Sequence, residues 1–178
     1  MALKPTIYKF AIALSDLDRE HYDTLKLTVA LHPSETLERM MARVLAFCLN
    51  AGERLEFTRG LSESSEPDLW LRQLDGQIDH WIDVGEPSAE RLRKASGLAQ
   101  RVSVYSFNSK SDSWWHQSAG ALNRLPVSVF QFPNEAIRAL AALVERTMTM
   151  SITVTEGSAF VAAALGECEV PCRHLSPA

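Results

Sequence analysis

The chain has 178 residues, enough for one well-buried core, and no linker divides it, so a single domain over 1–178 is expected. Its 46% hydrophobic and 22% charged content excludes a mostly disordered polypeptide, and a net charge of −4 argues against a generally basic nucleic-acid coat. No stretch is long and apolar enough to span a bilayer, the N-terminus carries no signal-peptide pattern, and three cysteines make no disulfide framework, so a cytoplasmic monomer is the default expectation.

Taken in chain order, Thr6, Tyr8, Phe10, Ile12 and Leu14 alternate with smaller or polar residues, and Leu25, Leu27, Val29 and Leu31 do the same. These predict two half-buried strands joined by a polar connection over 15–22, an N-terminal hairpin. His32-Pro33-Ser34 then starts a helix on Leu37, Met40, Met41, Val44, Leu45 and Cys48, stopped at Asn50-Ala51-Gly52 and laid across the sheet. A short strand at 55–58 and a polar loop at 60–66 lead into a second hairpin over 66–85. Gly85-Glu86-Pro87-Ser88 opens a helix through Ala95, ended by Gly97. A strand is expected at 101–107, a helix at 111–122, a short strand at 127–130 and an amphipathic helix at 134–147. A final hairpin pairs 151–155 with 159–163. This order predicts an α/β fold, a mixed sheet flanked by helices.

The second hairpin carries the strongest chemical signal. Asp75-Gly76 between two apolar runs predicts a two-residue turn. Counting outward, Leu74 faces Gln77, Arg72 faces Asp79, Trp70 faces Trp81 and Asp68 faces Asp83. Directly opposed like charges, about 5 Å apart at Cβ, destabilise a sheet unless something cationic lies between them. A divalent metal ion would satisfy Asp68 and Asp83; so would a neighbouring arginine.

The pattern of helix, strand, strand opening on Pro67-Asp68, strand bearing Asp83-Val84-Gly85, helix and strand resembles the PD-(D/E)XK nuclease-like superfamily. More closely, the chain resembles the bacterial YaeQ family through His32-Pro33-Ser34-Glu35-Thr36-Leu37-Glu38-Arg39-Met40-Met41, Phe57-Thr58-Arg59-Gly60-Leu61 and Trp81-Ile82-Asp83-Val84-Gly85-Glu86-Pro87. The resemblance implies a restriction-endonuclease-like core and a Mg²⁺-dependent phosphodiesterase acting on DNA or RNA. It makes Asp68 and Asp83 metal ligands and Glu38, at the rim of the first helix's apolar face, a supporting acid. Glu35 and Arg39 fall on that helix's solvent side of the wheel. An ordinary first-turn role for Glu38, where its charge suits the helix dipole, stays open.

One departure stands out: the position where the pattern expects lysine is Gly85. Lys94 or Arg91 of the following helix is the candidate substitute, Lys94 as a migrated lysine and Arg91 as a bidentate phosphate ligand, with a solvated surface lysine as the plainer reading of Lys94. The alternative function is a catalytically degenerate nuclease-like fold that binds nucleic acid or part of the transcription machinery. Trp114-Trp115-His116 reads as packing before base stacking, and Cys168, Cys172 and His174 are spaced too loosely for zinc. His32 and His80 read as structural.

Overall fold

A computed structural model describes residues 4–176 and resolves the strands into two mixed sheets rather than one. The first is built on the N-terminal hairpin, β1 (Thr6–Asp16) and β2 (His21–Leu31), paired without interruption from Thr6↔Leu31 to Asp16↔His21. The alternation read from the sequence puts Phe10, Ile12, Leu14, Leu27 and Val29 on the buried face.

The first helix is α1 (Leu37–Leu49), N-capped by Thr36, whose hydroxyl accepts from the Arg39 amide. Every residue from Met40 to Cys48 is buried, Arg43 included. Such a helix has no solvent face. It lies in the core among inward side chains of β1 and β2 and side chains of the second sheet such as Ile82, Val84 and Tyr105. The expected solvent side carrying Glu35 and Arg39 is therefore absent, and the one-sided wheel is corrected: Glu35 is buried and the Arg39 side chain is only 17% exposed.

The second sheet starts from β3 (Leu55–Phe57), β4 (Leu69–Arg72) and β5 (Ile78–Val84), followed by α2 (Ala89–Leu98) and β6 (Ala99–Ser106). Gly97 does not end α2, which runs one residue past it into β6. Then come α3 (Ser111–Leu122), β7 (Val127–Gln131) and α4 (Asn134–Ala141). The helix expected over 134–147 stops early because Thr-Met-Thr-Met-Ser-Ile-Thr-Val-Thr alternates with period two and takes strand geometry as β8 (Thr147–Thr155). After β9 (Ser158–Ala163), two strands went unread in the sequence, β10 (Gly166–Pro171) and β11 (Arg173–Ser176).

The first sheet runs β10-β9-β8-β1-β2, with β8 parallel to β1; the second runs β11-β7-β6-β5-β4-β3. In the second sheet β3, β4 and β5 are antiparallel neighbours, and β5, β6 and β7 are parallel. On its far face Trp81, Val102, Val104, Val127 and Val129 pack with Leu92 and Ala95 of α2 and Leu122 of α3. No helix among the described residues is long and apolar enough to cross a membrane.

Candidate functional site

The β4–β5 hairpin keeps the expected register where it matters and departs from it at the tip. Trp70 faces Trp81 and Leu69 faces Ile82. The turn is not the two-residue one predicted at Asp75-Gly76. Gln73 donates to the Gln77 carbonyl at 2.8 Å around a three-residue loop, with Gly76 at φ 91° and the Asp75 carboxylate accepting from the Gln77 amide. Arg72 consequently pairs with Ile78 instead of Asp79, and the register shifts between Leu71 and Arg72. The extra loop residue and the bulge cancel, so the far end of the hairpin sits where the simpler turn would have put it. Arg72 lies over the Trp70 ring and pairs with Glu56.

Asp68 and Asp83 therefore meet in one cleft of about 450 Å³, lined also by Arg39, Gly85, Glu86 and Arg91. Asp68 ties its two strands together: its amide donates to the Ile82 carbonyl at 3.1 Å and its Oδ2 accepts from the Val84 amide at 2.8 Å. Its Oδ1 accepts from Arg39 Nη2 at 2.6 Å. Arg39 reaches there from α1, donates also to the Val84 carbonyl, and is held behind by Glu35 Oε2 at 2.7 Å. Glu35 in turn accepts twice from buried Arg43, at 2.8 and 2.7 Å, and Arg43 donates to the Ala30 carbonyl of β2. Burial works against the charge on Arg39, but Asp68 and Glu35 more than offset it and raise its pKa.

Asp83 has its own cation. Ser88 caps α2 and accepts from the Arg91 amide, which places Arg91 in the first turn, and its guanidinium grips Asp83 bidentately, Nε to Oδ2 at 2.8 Å and Nη2 to Oδ1 at 3.1 Å. The same guanidinium donates to the Ser64 and Glu66 carbonyls, closing the loop over the cleft, and lies over the Trp81 ring. Burial raises the Asp83 pKa, Arg91 opposes the rise, and the neighbouring Asp68 charge adds to it. Beside them the Glu86 carboxylate accepts from the Phe107 amide at 3.1 Å, and burial raises its pKa as well.

Comparison with known proteins gives the chain a family. The family model described as "YaeQ protein" matches residues 1–172. The "Uncharacterized protein YaeQ" of Escherichia coli K12 is 42% identical over 159 residues, covering 88% of each chain. The chain belongs to the YaeQ family. The Salmonella typhi YaeQ is 40% identical over 172 residues, 96% of this chain and 95% of that one. Crystal structures of YaeQ proteins from Xanthomonas axonopodis pv. citri and Pseudomonas syringae superpose with a TM-score of 0.92 at 38% identity; they cover 96% and 98% of this chain, and the match takes in 97% of each of them.

Within this YaeQ fold the expected site residues divide. Asp68, Asp83 and Arg91 come together. Glu38 is half-buried in the first turn of α1 and does not line the cleft, where the helix contributes Arg39 instead. Lys94 lies outside the cleft with its side chain 75% exposed, 3.5 Å from Glu90. Sequence reasoning missed the roles of Glu35, Arg39 and Arg43, although a spacing of four, from Glu35 just before the Thr36 cap to Arg39 and Arg43 in α1, is a charged run at helical period beside a buried face. Gly85 donates its amide to the Tyr105 carbonyl at φ 123°, a conformation that favours glycine over lysine. Cys168, Cys172 and His174 form no metal cluster, and His174 stacks on Phe130.

The donor set does not fit Mg²⁺ in this arrangement. The ion needs near-octahedral oxygen ligands and keeps several waters. Both oxygens of Asp68 and both of Asp83 already accept from Arg39, Val84 and Arg91, and two guanidiniums stand where a divalent cation would be repelled. No group of three or more His, Cys, Asp or Glu side chains suited to a metal occurs among the described residues.

Proposed function

We propose that this chain is a nuclease-like fold that works by binding rather than by cleavage. The observation that carries the reading is the closure of both strand carboxylates by arginine, Asp83 by Arg91 in two hydrogen bonds and Asp68 by Arg39. A metal-dependent phosphodiesterase needs those oxygens for its metal and a cation near the attacked phosphate; here the oxygens are engaged and Gly85 offers no side chain. The order α1-β3-β4-β5-α2-β6, with antiparallel β3, β4 and β5 and parallel β6, supports the nuclease-like ancestry. The resemblance supplies the partner class: nucleic acid or a component of the transcription machinery.

The convergence of two acidic side chains from adjacent strands favours a second reading, Mg²⁺-dependent cleavage of DNA or RNA after Arg39 and Arg91 release their carboxylates. Calorimetric titration of Mg²⁺ and Mn²⁺ into wild type and Asp83→Ala separates the two. A binding role with both carboxylates held by arginine predicts no metal isotherm that Asp83→Ala abolishes and no metal-dependent cutting of single-stranded, double-stranded or branched substrates. A saturable isotherm lost in Asp83→Ala, accompanied by cutting, overturns it. Direct titration of labelled DNA and RNA at two salt concentrations then tests the partner: salt-sensitive binding supports nucleic acid, and its absence removes that class.

A further inference from the structure

Among the described residues the first sheet ends on β2, whose only hydrogen-bonded neighbour is β1, and the second sheet ends on β3, whose only neighbour is β4. Registers show which backbone groups each edge leaves outward. Ala30 of β2 faces Ile7, and its carbonyl accepts from Arg43 instead of from β1, so Ala30 and, two residues away, Thr28 turn their amides and carbonyls away from the sheet. In β3, Glu56 faces Trp70 and the Thr58 amide donates to the Asp68 carbonyl, so Phe57 between them points its backbone groups away from β4.

These two edges open into the same cavity. Thr28, Val29 and Ala30 form one wall of a cleft of about 610 Å³, which meets the carboxylate cleft at Gly60 and Leu61; residues 57–62 form the other wall, and Pro5, His32 and Pro33 complete the lining. The Glu35–Arg43 ion pair lies at its base, with Arg43 over the Phe57 ring at 5.8 Å. The charges around it are already matched: Glu35 by Arg43, and Arg59 by Glu66 at 2.7 Å.

Free strand edges are ordinarily shielded by lysine, proline or a covering element. Among the described residues no strand covers this edge at Thr28–Ala30; Arg43 takes the Ala30 carbonyl, which leaves the Thr28 amide and carbonyl and the Ala30 amide, with those of Phe57 opposite, and an extended chain is the ligand that satisfies such groups on two walls at once. We propose that this cleft takes an extended peptide segment of a partner protein by strand addition to β2, its far edge facing β3. Matched charges in the lining select a segment whose central residues are uncharged, and the Phe57 ring favours an apolar side chain beside it. The mode is the one in which main-chain hydrogen bonds give affinity and alternate side chains give selectivity.

The probe is a phage-displayed random dodecapeptide library panned against the full chain, with recovered peptides synthesised and titrated by fluorescence anisotropy. Thr28→Pro removes one outward amide without touching a β1–β2 hydrogen bond, and Thr28→Val keeps that amide. Expected results are amide NMR shifts at Thr28, Ala30 and Phe57, about tenfold weaker binding in Thr28→Pro, and little change in Thr28→Val. Should Thr28→Pro fail to fold, N-methylation of backbone amides in the peptide core gives the same loss with the wild-type chain. Panning that yields no binder, peptides whose affinity survives both Thr28→Pro and N-methylation, shifts confined to the Asp83 cleft, or β2-mediated dimerisation in sedimentation each overturn the proposal.

Discussion

Replacing Arg91 by leucine removes the cation from Asp83 and leaves a carboxylate whose side chain is 4% exposed, with Asp68 beside it. Breaking one side of a buried pair costs about 3–5 kcal/mol; Arg91 is itself 32% exposed, which puts this case near the lower end, about 3 kcal/mol at neutral pH. Asp83 can escape the penalty by taking a proton. From an ordinary value of 3.8 that escape costs at most about 4 kcal/mol at pH 7 and less than about 2 kcal/mol at pH 5, at about 1.36 kcal/mol per pH unit. The sign follows: with its folded pKa raised further above the unfolded one, the variant loses nothing below the carboxylate range and progressively more as pH climbs towards the folded value. Urea unfolding followed by tryptophan fluorescence at pH 5, 7 and 8 reads this directly. The melting temperature at pH 7 should fall by about 6–12 °C in a chain of this size. Adding Asp83→Asn to Arg91→Leu should restore most of the loss and flatten its pH dependence. A cost below about 0.5 kcal/mol, the same at every pH, would refute the claim that Arg91 neutralises a buried charge.

Three further outcomes are expected. Burial holds the His80 pKa down at about 4, with its Nε2 against Ser103 Oγ at 2.7 Å, so stability present above about pH 6.5 should drain away as pH falls towards 4, by up to about 3 kcal/mol, and His80→Asn should lack that component in pH-dependent unfolding while keeping the carboxylate contributions. Gly85→Ala should cost about 1–2 kcal/mol in denaturant unfolding although its Cβ would meet nothing within 4 Å, because the backbone sits at φ 123°. Lys94→Ala should change unfolding free energy by less than about 0.5 kcal/mol and leave any partner binding unaltered, since its side chain lies in solvent outside the cleft.

The legibility of the chain followed the range of the forces involved. Local alternation and helical spacing located β1, β2, α1 and the β4–β5 hairpin, although α1 starts at Leu37 under a Thr36 cap rather than at His32-Pro33-Ser34, and cross-strand counting placed Asp68 near Asp83 although the turn has a different form. The loop residue added at the tip and the bulge at Arg72 are invisible to that count because they offset each other. Glu35 and Arg39 were misplaced for a different reason. A helical wheel assumes one buried side, whereas α1 is enclosed by two sheets, and the second sheet's arrival depends on residues far along the chain. The parallel β1–β8 pairing was unread on the same ground, since nothing local marks β8 as an interior strand rather than half of an isolated hairpin, whereas the edge strands β10 and β11 each bury a single residue and so offer little alternation to read.

That parallel pairing also sets an order of events during synthesis. β1 leaves the ribosome well before β8, the strand that completes its other side from Lys9↔Thr147 to Asp16↔Val154. At typical translation rates the hairpin stands with one interior edge uncovered for on the order of ten seconds before β8 exists. Closure then joins segments far apart in the polypeptide, a high-contact-order step that should be slow beside formation of the hairpin itself. Factors that shield nascent chains would accordingly find a long-lived target in β1, a strand flanked in the finished sheet by β2 along its whole length and by β8 from Lys9 to Asp16.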